Sequence, residues 1–152
     1  MKKILHSLAL LLSIALLSFV AGCKTTAPPT AIKTIQVVGE VDANTNSATA
    51  IDLVYVYDSN VLGLLPATGP DWFDKKDALM KALAKSIEVT PLQVPPSTLV
   101  NVPLPANYAK AIGIYSYANY LTAGGQPQCN LTPYKTMVIW LTPDAVVCSG
   151  NK

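Results

Sequence analysis

The chain has 152 residues, 51% of them hydrophobic and 13% charged, and a formal net charge of +2. It contains no arginine, and its single histidine, His6, lies in the apolar N-terminal stretch. These absences exclude a guanidinium clamp on carboxylate or phosphate and exclude Ser-His-Asp, Cys-His and imidazole–metal sites. A carboxylate-only or lysine-based enzyme is the alternative in principle, but the acidic residues are scattered or share one exposed helical turn, so we expect no enzyme, no cofactor and no metal site.

The N-terminus has the parts of a secretory signal. Lys2 and Lys3 are followed by an almost wholly apolar stretch, 4–20, and by the small residues Ala21 and Gly22. The stretch is at the short end of what crosses a bilayer, and no basic stop-transfer cluster follows it. We therefore interpret residues 1–22 as a signal peptide rather than a transmembrane helix.

The sequence Val20-Ala21-Gly22-Cys23 resembles the bacterial lipobox. That resemblance implies that the Cys23 thiol receives a diacylglycerol and that the new amino end is acylated, for example with palmitate. Two or more acyl chains give a stable anchor without a transmembrane helix. The next residue is Lys24, not the Asp that resembles an inner-membrane retention signal, so the resemblance points to the periplasmic face of the outer membrane. The alternative is that Cys23 is an ordinary disulfide partner.

Cleavage changes the charge balance, because Lys2 and Lys3 leave with the signal. The basic and acidic residues that remain are equal in number, and no basic stretch of the kind that binds nucleic acid is left. Residues 23–32 are polar and rich in proline at Pro28-Pro29, which is typical of an extended tether. Residues 33–152 are expected to form one domain.

The first part of this domain reads as strand, turn, strand and helix. Residues 33–41 and 48–58 are rich in β-branched and aromatic residues, and the turn-forming segment 42–47 joins them. Both faces of 48–58 are apolar, as expected for a central strand of a covered sheet. Residues 70–84 are predicted to be a helix, because Pro70 suits its first turn and an apolar stripe follows that includes Trp72.

Short strands are predicted in the rest of the chain, at 86–94, 98–104, 109–117, 134–141 and 145–148. Prolines near their ends, such as Pro91, are typical of edges and turns. The fold class is therefore mainly β, a two-sheet β-sandwich with one inserted helix.

Trp72 and Trp140 are interpreted as core residues. Four tyrosines are read either as an aromatic recognition surface or as half core and half rim: Tyr108, Tyr115, Tyr117 and Tyr120.

Cys129 and Cys148 are the two remaining thiols. Export brings both into an oxidising compartment, where paired cysteines usually form disulfides. A closed loop of about 20 residues stabilises a fold by roughly 3 kcal/mol in the chain-entropy model. We predict a structural disulfide between them, because their spacing is far from the Cys-x-x-Cys of redox proteins.

The order of these features is similar to that of a known family. The chain resembles the outer-membrane lipoprotein of type VI secretion systems, the TssJ or SciN family. The resemblance lies in the order of five features: a lipobox, a short strand, the strand Asp52-Leu-Val-Tyr-Val-Tyr-Asp58, a helix that opens with Trp72-Phe73, and the strand 111–117. The chain departs from the family's usual pattern at Tyr55, where Arg is common, and after the helix, where Pro91-Leu92 replaces Pro-Gly.

The resemblance implies a transthyretin-like sandwich and a structural role. Members of the family bind the periplasmic domain of the inner-membrane protein TssM, and the loop between the first two strands is a main contact. By position, the partner-binding residues of this chain are then Asp42, Asn44, Thr45 and Asn46. Ordinary turn chemistry is the alternative explanation of these residues.

Two other classes of function stay open at this stage. One is a pilotin-type lipoprotein that escorts a secretin, which should present a groove for a helix. The other is a small periplasmic ligand-binding or inhibitor lipoprotein, which should contain a deep apolar pocket.

The lipobox generates a first prediction. Replacing Cys23 with Ser should block lipidation, because serine has no thiol to accept the diacylglycerol, and should leave a soluble or uncleaved precursor. Membrane fractionation and the mass of the product check this. A Cys23→Ser protein that is still processed and still fractionates with the outer membrane would contradict the lipoprotein interpretation.

Overall fold

The computed structural model describes residues 29–122 and 125–152. The predicted signal peptide and Cys23 lie outside the described residues. Eight strands form two four-stranded sheets, so the predicted mainly-β sandwich with one long helix is confirmed. Within the described residues, no helix is both long and apolar enough to cross a bilayer.

The first sheet has the strand order β4-β1-β7-β8. Its strands are β1 (Thr34–Gly39), β4 (Leu99–Asn101), β7 (Thr136–Leu141) and β8 (Val146–Asn151). β1 and β7 are parallel, whereas the other neighbours in this sheet are antiparallel. Because β1 and β7 run the same way, the segments that lead into both lie at one end of the sandwich.

The second sheet has the order β3-β2-β5-β6 and is antiparallel throughout. Its strands are β2 (Thr49–Val56), β3 (Ile87–Val94), β5 (Gly113–Asn119) and β6 (Cys129–Asn130). β2 is central, as its two apolar faces predicted. β3 is an edge strand, which is where Pro91 does least harm to a sheet.

The two faces of β2 serve two separate cores. Ile51, Leu53 and Tyr55 are fully buried between the sheets. Val54 and Val56 are fully buried on the other face, against the helix layer. Since side chains alternate along a strand, one strand supplies both cores. Burial raises the pKa of Tyr55 to about 12.

The helix, α1 (Gly69–Leu83), covers the outer face of the second sheet. The Thr68 hydroxyl caps its first turn by accepting the Asp71 backbone N–H at 3.3 Å. Gly69 is required at the contact, because a Cβ there would collide with the carbonyl oxygen of Ala118. The helix therefore begins close to the end of β5 and runs back along the sheet.

One polar cluster fastens the helix to β2. The Trp72 Nε1–H donates to Asp52 Oδ2 at 2.8 Å, and Lys76 Nζ lies 2.7 Å from the same oxygen. The Asp52 side chain is only 3% exposed. Trp72 also stacks on Tyr117 with ring centroids 4.8 Å apart. Trp72 is thus a core residue, as predicted, although it belongs to the helix layer.

Cys129 and Cys148 form the predicted disulfide, with Cα atoms 6.5 Å apart. Cys129 belongs to β6 of the second sheet and Cys148 to β8 of the first. Both strands are sheet edges, so the bond joins the two sheets along one side of the sandwich.

Several strand boundaries differ from the predicted ones. β4 has only three residues, and a 3₁₀ turn at Tyr108–Lys110 precedes β5, so that β5 begins later than predicted. β8 continues to Asn151, beyond the predicted end at Cys148, because its whole length pairs with β7. The two-residue strand β6 carries no sequence pattern long enough to predict.

Contact with the domain begins before residue 33. The Thr30 backbone N–H donates to the Ala111 carbonyl at 2.7 Å, and Ile32 is buried in the inter-sheet core. These residues, which the sequence assigned to the tether, attach the chain to the end of the sandwich where β1 and β7 begin. Only the part of the predicted tether before Pro29 lies outside the described residues.

The cluster around Asp52 generates a second prediction. Asp52→Ala should lower the free energy of unfolding by about 3 kcal/mol, because it leaves a buried indole N–H and an ammonium group without their acceptor. Asp52→Asn keeps an acceptor oxygen for Trp72 and should cost clearly less. Denaturant unfolding measures both changes.

Lys75→Ala is the control for this prediction. Lys75 pairs with Asp71 at 3.8 Å on an exposed helix face, so its loss should change the free energy of unfolding by less than about 0.5 kcal/mol. Equal effects of Asp52→Ala and Lys75→Ala would contradict the role given to Asp52.

Candidate partner-binding end of the sandwich

Four connections meet at the end of the sandwich opposite to the N-terminal attachment. They are the β1–β2 loop at 40–48, the β3–β4 turn at 95–98, the described parts of the β5–β6 connection at 120–122 and 125–128, and the β7–β8 loop at 142–145. Strand directions place them together, because β1, β3, β5 and β7 all end here. We call this the loop end.

The β1–β2 loop contains a left-handed turn. Asn44, Thr45 and Asn46 have φ values of 50°, 57° and 57°. Such angles cost roughly 1–2 kcal/mol per non-glycine residue and are most unusual for a β-branched residue such as Thr45. The surrounding contacts hold the turn in place: the backbone N–H of Asn44 donates to Thr142 at 3.0 Å and that of Thr45 to Pro143 at 3.1 Å.

Asn44 is a structural residue of this loop. It is 2% exposed, and its side-chain oxygen accepts the Leu121 N–H at 2.8 Å while its amide donates to the Asn119 carbonyl at 3.4 Å. Its side chain joins the β1–β2 loop to the β5–β6 connection. The structure therefore gives the Asn44 amide a role inside the protein, whereas its part in binding a partner stays a prediction.

The other three predicted contact residues are exposed. Asp42, Thr45 and Asn46 line a shallow groove of about 590 Å³, together with Pro143 and Asp144. A second groove, of about 550 Å³, lies beside it and shares Asp42 and Pro143. The loop thus stands between two grooves, a shape that a protein surface can follow.

The loop end is acidic. Glu40, Asp42 and Asp144 are exposed there, and none of the four connections contains a lysine. Burial, with smaller contributions from the charges of Glu40 and Asp144, raises the pKa of Tyr120 to about 12. The Tyr120 hydroxyl donates to the Thr142 carbonyl at 2.9 Å and so helps to fix the β7–β8 loop.

An apolar row crosses the outer face of the first sheet next to the loop end. Strand register places Leu99, Val38, Trp140 and Val147 side by side on β4, β1, β7 and β8. Leu99, Trp140 and Val147 are 57%, 39% and 50% exposed. The prediction that Trp140 is a core residue is therefore wrong: Ile139 and Leu141 point inward, and the alternation of a strand turns Trp140 outward.

The four tyrosines do not form one recognition surface. Tyr117 and Tyr120 are buried. Tyr115 packs in the helix layer, whereas Tyr108 packs against the inter-sheet core. In residues 29–122 and 125–152, no group of three or more His, Cys, Asp or Glu side chains could hold a metal ion.

Comparison with known proteins gives similarity at the level of structure. No family model and no curated protein matches the sequence. The fold is similar to that of the type VI secretion lipoprotein TssJ1 from Pseudomonas aeruginosa, with a TM-score of 0.61, 13% identity, and coverage of 82% of this chain and 98% of that one.

A second solved structure is Lip of Serratia marcescens, a membrane-bound component of the type VI secretion system. Its TM-score is 0.52 at 9% identity, and the match covers 82% of this chain and 99% of that one. The resemblance read from the sequence is thus confirmed as a resemblance of fold.

The left-handed turn generates a third prediction. Asn44→Ala should lower the free energy of unfolding by about 2 kcal/mol, because the Leu121 N–H and the Asn119 carbonyl both lose the buried amide that they bind. Thr45→Gly, one residue on, should leave it unchanged or raise it by up to about 1 kcal/mol, because glycine adopts positive φ without strain. Thermal and denaturant unfolding of both variants measure the difference. A Thr45→Gly protein as unstable as Asn44→Ala would refute the distinction between a buried and an exposed residue in this turn.

Proposed function

We propose that this protein is a structural lipoprotein of a type VI secretion membrane complex. In this proposal lipids on Cys23 hold it at the periplasmic face of the outer membrane. The loop end binds the periplasmic domain of a TssM-like inner-membrane protein, and the role is tethering rather than catalysis. The fold shared with TssJ1 and Lip supports the assignment to this type of complex.

The observation that carries the proposal is that the N-terminal attachment and the loop end lie at opposite ends of the sandwich. The chain leaves the domain toward Cys23 at one end, beside Thr30 and Ala111. The rigid, exposed loops lie at the other end, about one strand length away, or roughly 20 Å. A tether needs this arrangement, because a partner from the opposite membrane must reach a surface that does not face the anchor.

The character of the loop end indicates the chemistry of the partner surface. Exposed apolar residues, Val41 and Leu121, stand beside the carboxylates of Asp42 and Asp144. A partner with an apolar centre and basic groups at its rim is complementary to this surface. The β1–β2 loop is held in a fixed conformation, so that little conformational entropy is lost when it binds.

A charge reversal at the exposed part of the loop tests the proposal. Asp42 suits it because its carboxylate makes no cap hydrogen bond within the turn. Asp42→Lys should weaken binding to the TssM-like periplasmic domain at least tenfold, and the loss should shrink as salt is raised. Calorimetry with the two purified proteins measures the affinity.

Asp77→Lys is the matched control. Asp77 is exposed on α1, away from the loop end, and the substitution makes the same change in net charge. The Asp77→Lys protein should bind the TssM-like periplasmic domain with the same affinity as the wild type. Asn44 is left intact in these variants, because its loss would disturb the fold and the binding surface together. Equal affinity of Asp42→Lys and wild type would remove Asp42 from the interface, and no wild-type binding at tens of micromolar would refute the proposed function.

A further inference from the structure

The lysines of the domain are distributed unevenly along its long axis. Lys33, Lys110, Lys135 and Lys152 are exposed and lie at the end opposite to the loop end. We call this the lysine end. The loop end carries Glu40, Asp42 and Asp144 and no lysine, so a domain with little net charge has a positive end and a negative end.

Three of these lysines stand at the ends of adjacent strands. The backbone N–H of Lys33 donates to the Lys135 carbonyl at 2.7 Å, and that of Lys135 donates to Asn151, next to Lys152, at 2.7 Å. Neighbouring strands are about 4.8 Å apart, so their ammonium groups repel one another. The Lys152 Nζ lies 6.0 Å from the centre of the Tyr134 ring, which adds an amphipathic aromatic side chain to this end.

The carboxylates at this end form no ion pair with these lysines in the described part of the chain. The ion pairs in the described part of the chain are made by Lys75 and Lys76. Glu88 accepts the Tyr57 hydroxyl at 2.8 Å, and Asp58 accepts the Asn60 backbone N–H at 3.0 Å, both on the side of the second sheet. Lys33, Lys135 and Lys152 lie at the end of the first sheet and have no such partner among the described residues.

The lysine end is also where the chain leaves the domain toward Cys23. Thr30 is bonded to Ala111, next to Lys110. Thr30 follows Cys23 by seven positions in the sequence. An extended chain spans at most about 3.5 Å per residue, so the reach from Cys23 to Thr30 is roughly 25 Å. If Cys23 is lipidated, this reach keeps the lysine end within roughly 25 Å of the membrane surface, so the lysine end, rather than the loop end, is the one nearer to the attachment point.

We propose that the lysine end binds the anionic phospholipid head groups of the membrane to which Cys23 is anchored. The inference rests on the proposed function, since it requires the lipid anchor. Each lysine near an anionic surface strengthens attraction roughly fivefold, and the effect decays within a Debye length of about 8 Å. Four lysines on one end orient the domain upright, with the loop end directed away from the bilayer.

The experiment uses the lipidated protein reconstituted into vesicles of phosphatidylcholine, with or without one third phosphatidylglycerol. Lysine acetylation followed by mass spectrometry reports the accessibility of each ammonium group. In anionic vesicles, the four lysines of the lysine end should react at least threefold more slowly than in neutral vesicles. Lys75 on the exposed face of α1 should react equally in both, and 0.5 M salt should abolish the difference.

Paired charge variants sharpen the test. The double variant Lys33→Gln/Lys135→Gln should restore the reactivity of Lys110 and Lys152 in anionic vesicles. The control is Lys75→Gln/Lys81→Gln, which removes the same charge from the helix and should leave Lys110 and Lys152 protected. Equal reaction rates in the two kinds of vesicle, or protection that includes Lys75 to the same degree, would overturn the inference.

The outcomes also separate this inference from the proposed function. A protein that does not stay with either vesicle overturns the anchor and this inference together. A protein that stays with the vesicles but shows no protection overturns the head-group contact alone. Partner binding is measured separately in solution by calorimetry, so its loss or retention does not affect the reading of lysine accessibility.

Discussion

The buried carboxylate of Asp52 is the point on which the helix layer depends. It lies in the middle of β2, on the face that the inter-sheet core does not use, and it receives both Trp72 and Lys76. These two residues are one helical turn apart, so a single side chain fixes the rotation of α1 about its axis. The apolar stripe of the helix covers Val54 and Val56, and this polar contact adds a directional restraint on which face of the helix does so.

The position of α1 has consequences beyond its own layer. Trp72 stacks on Tyr117, whose hydroxyl donates to the Pro66 carbonyl at 2.9 Å. The start of the helix is therefore fixed against β5, and the backbone N–H of Gly69 donates to the Gln126 carbonyl at 2.8 Å. Gln126 in turn accepts the Val146 N–H at 3.1 Å. Through these contacts Gln126, in the loop end, is linked both to the start of the helix and to the beginning of β8.

The sequence predicts the structure correctly where a residue pattern is compatible with only one kind of element. The doubly apolar strand around Leu53, the helix that opens at Pro70 and the disulfide follow from periodicity, capping chemistry and the redox compartment. It was ambiguous where one residue type serves two roles. Asn44 and Asn46 look alike in a turn-rich segment, yet only Asn44 is buried, because residues distant in sequence, at 119–121, happen to face it.

Two further residues show why the rest could not be predicted. Trp140 was assigned by its hydrophobicity, although its neighbours Ile139 and Leu141 already filled the inward positions of a period of two. Asp52 did carry a signal, a single carboxylate inside a strand of buried residues, together with Trp72 and Lys76 at helical spacing. These three residues can be recognised as one cluster only when the helix is known to pack on this sheet, and the packing of the helix is tertiary information that the local sequence pattern does not contain.

The separation of charge between the two ends follows from topology more than from any single residue. Since β1 and β7 are parallel and β8 returns antiparallel to them, the start of β1, the start of β7 and the end of β8 must lie at one end. Lysines at those three chain positions, 33, 135 and 152, are brought together although they are far apart in sequence. The same strand directions place residues 40–48 and 142–145 at the other end, where the acidic residues are. An anchor at one end of such a domain restrains its distance from the membrane but does not by itself restrain its tilt. In the proposed function, charge at the anchored end restrains the tilt as well, and the proposed contact of the loop end with a partner from across the periplasm requires that both distance and tilt are restrained. The proposed lipid contact and the proposed partner contact are therefore two requirements of one geometry, which the parallel pairing of β1 with β7 supplies.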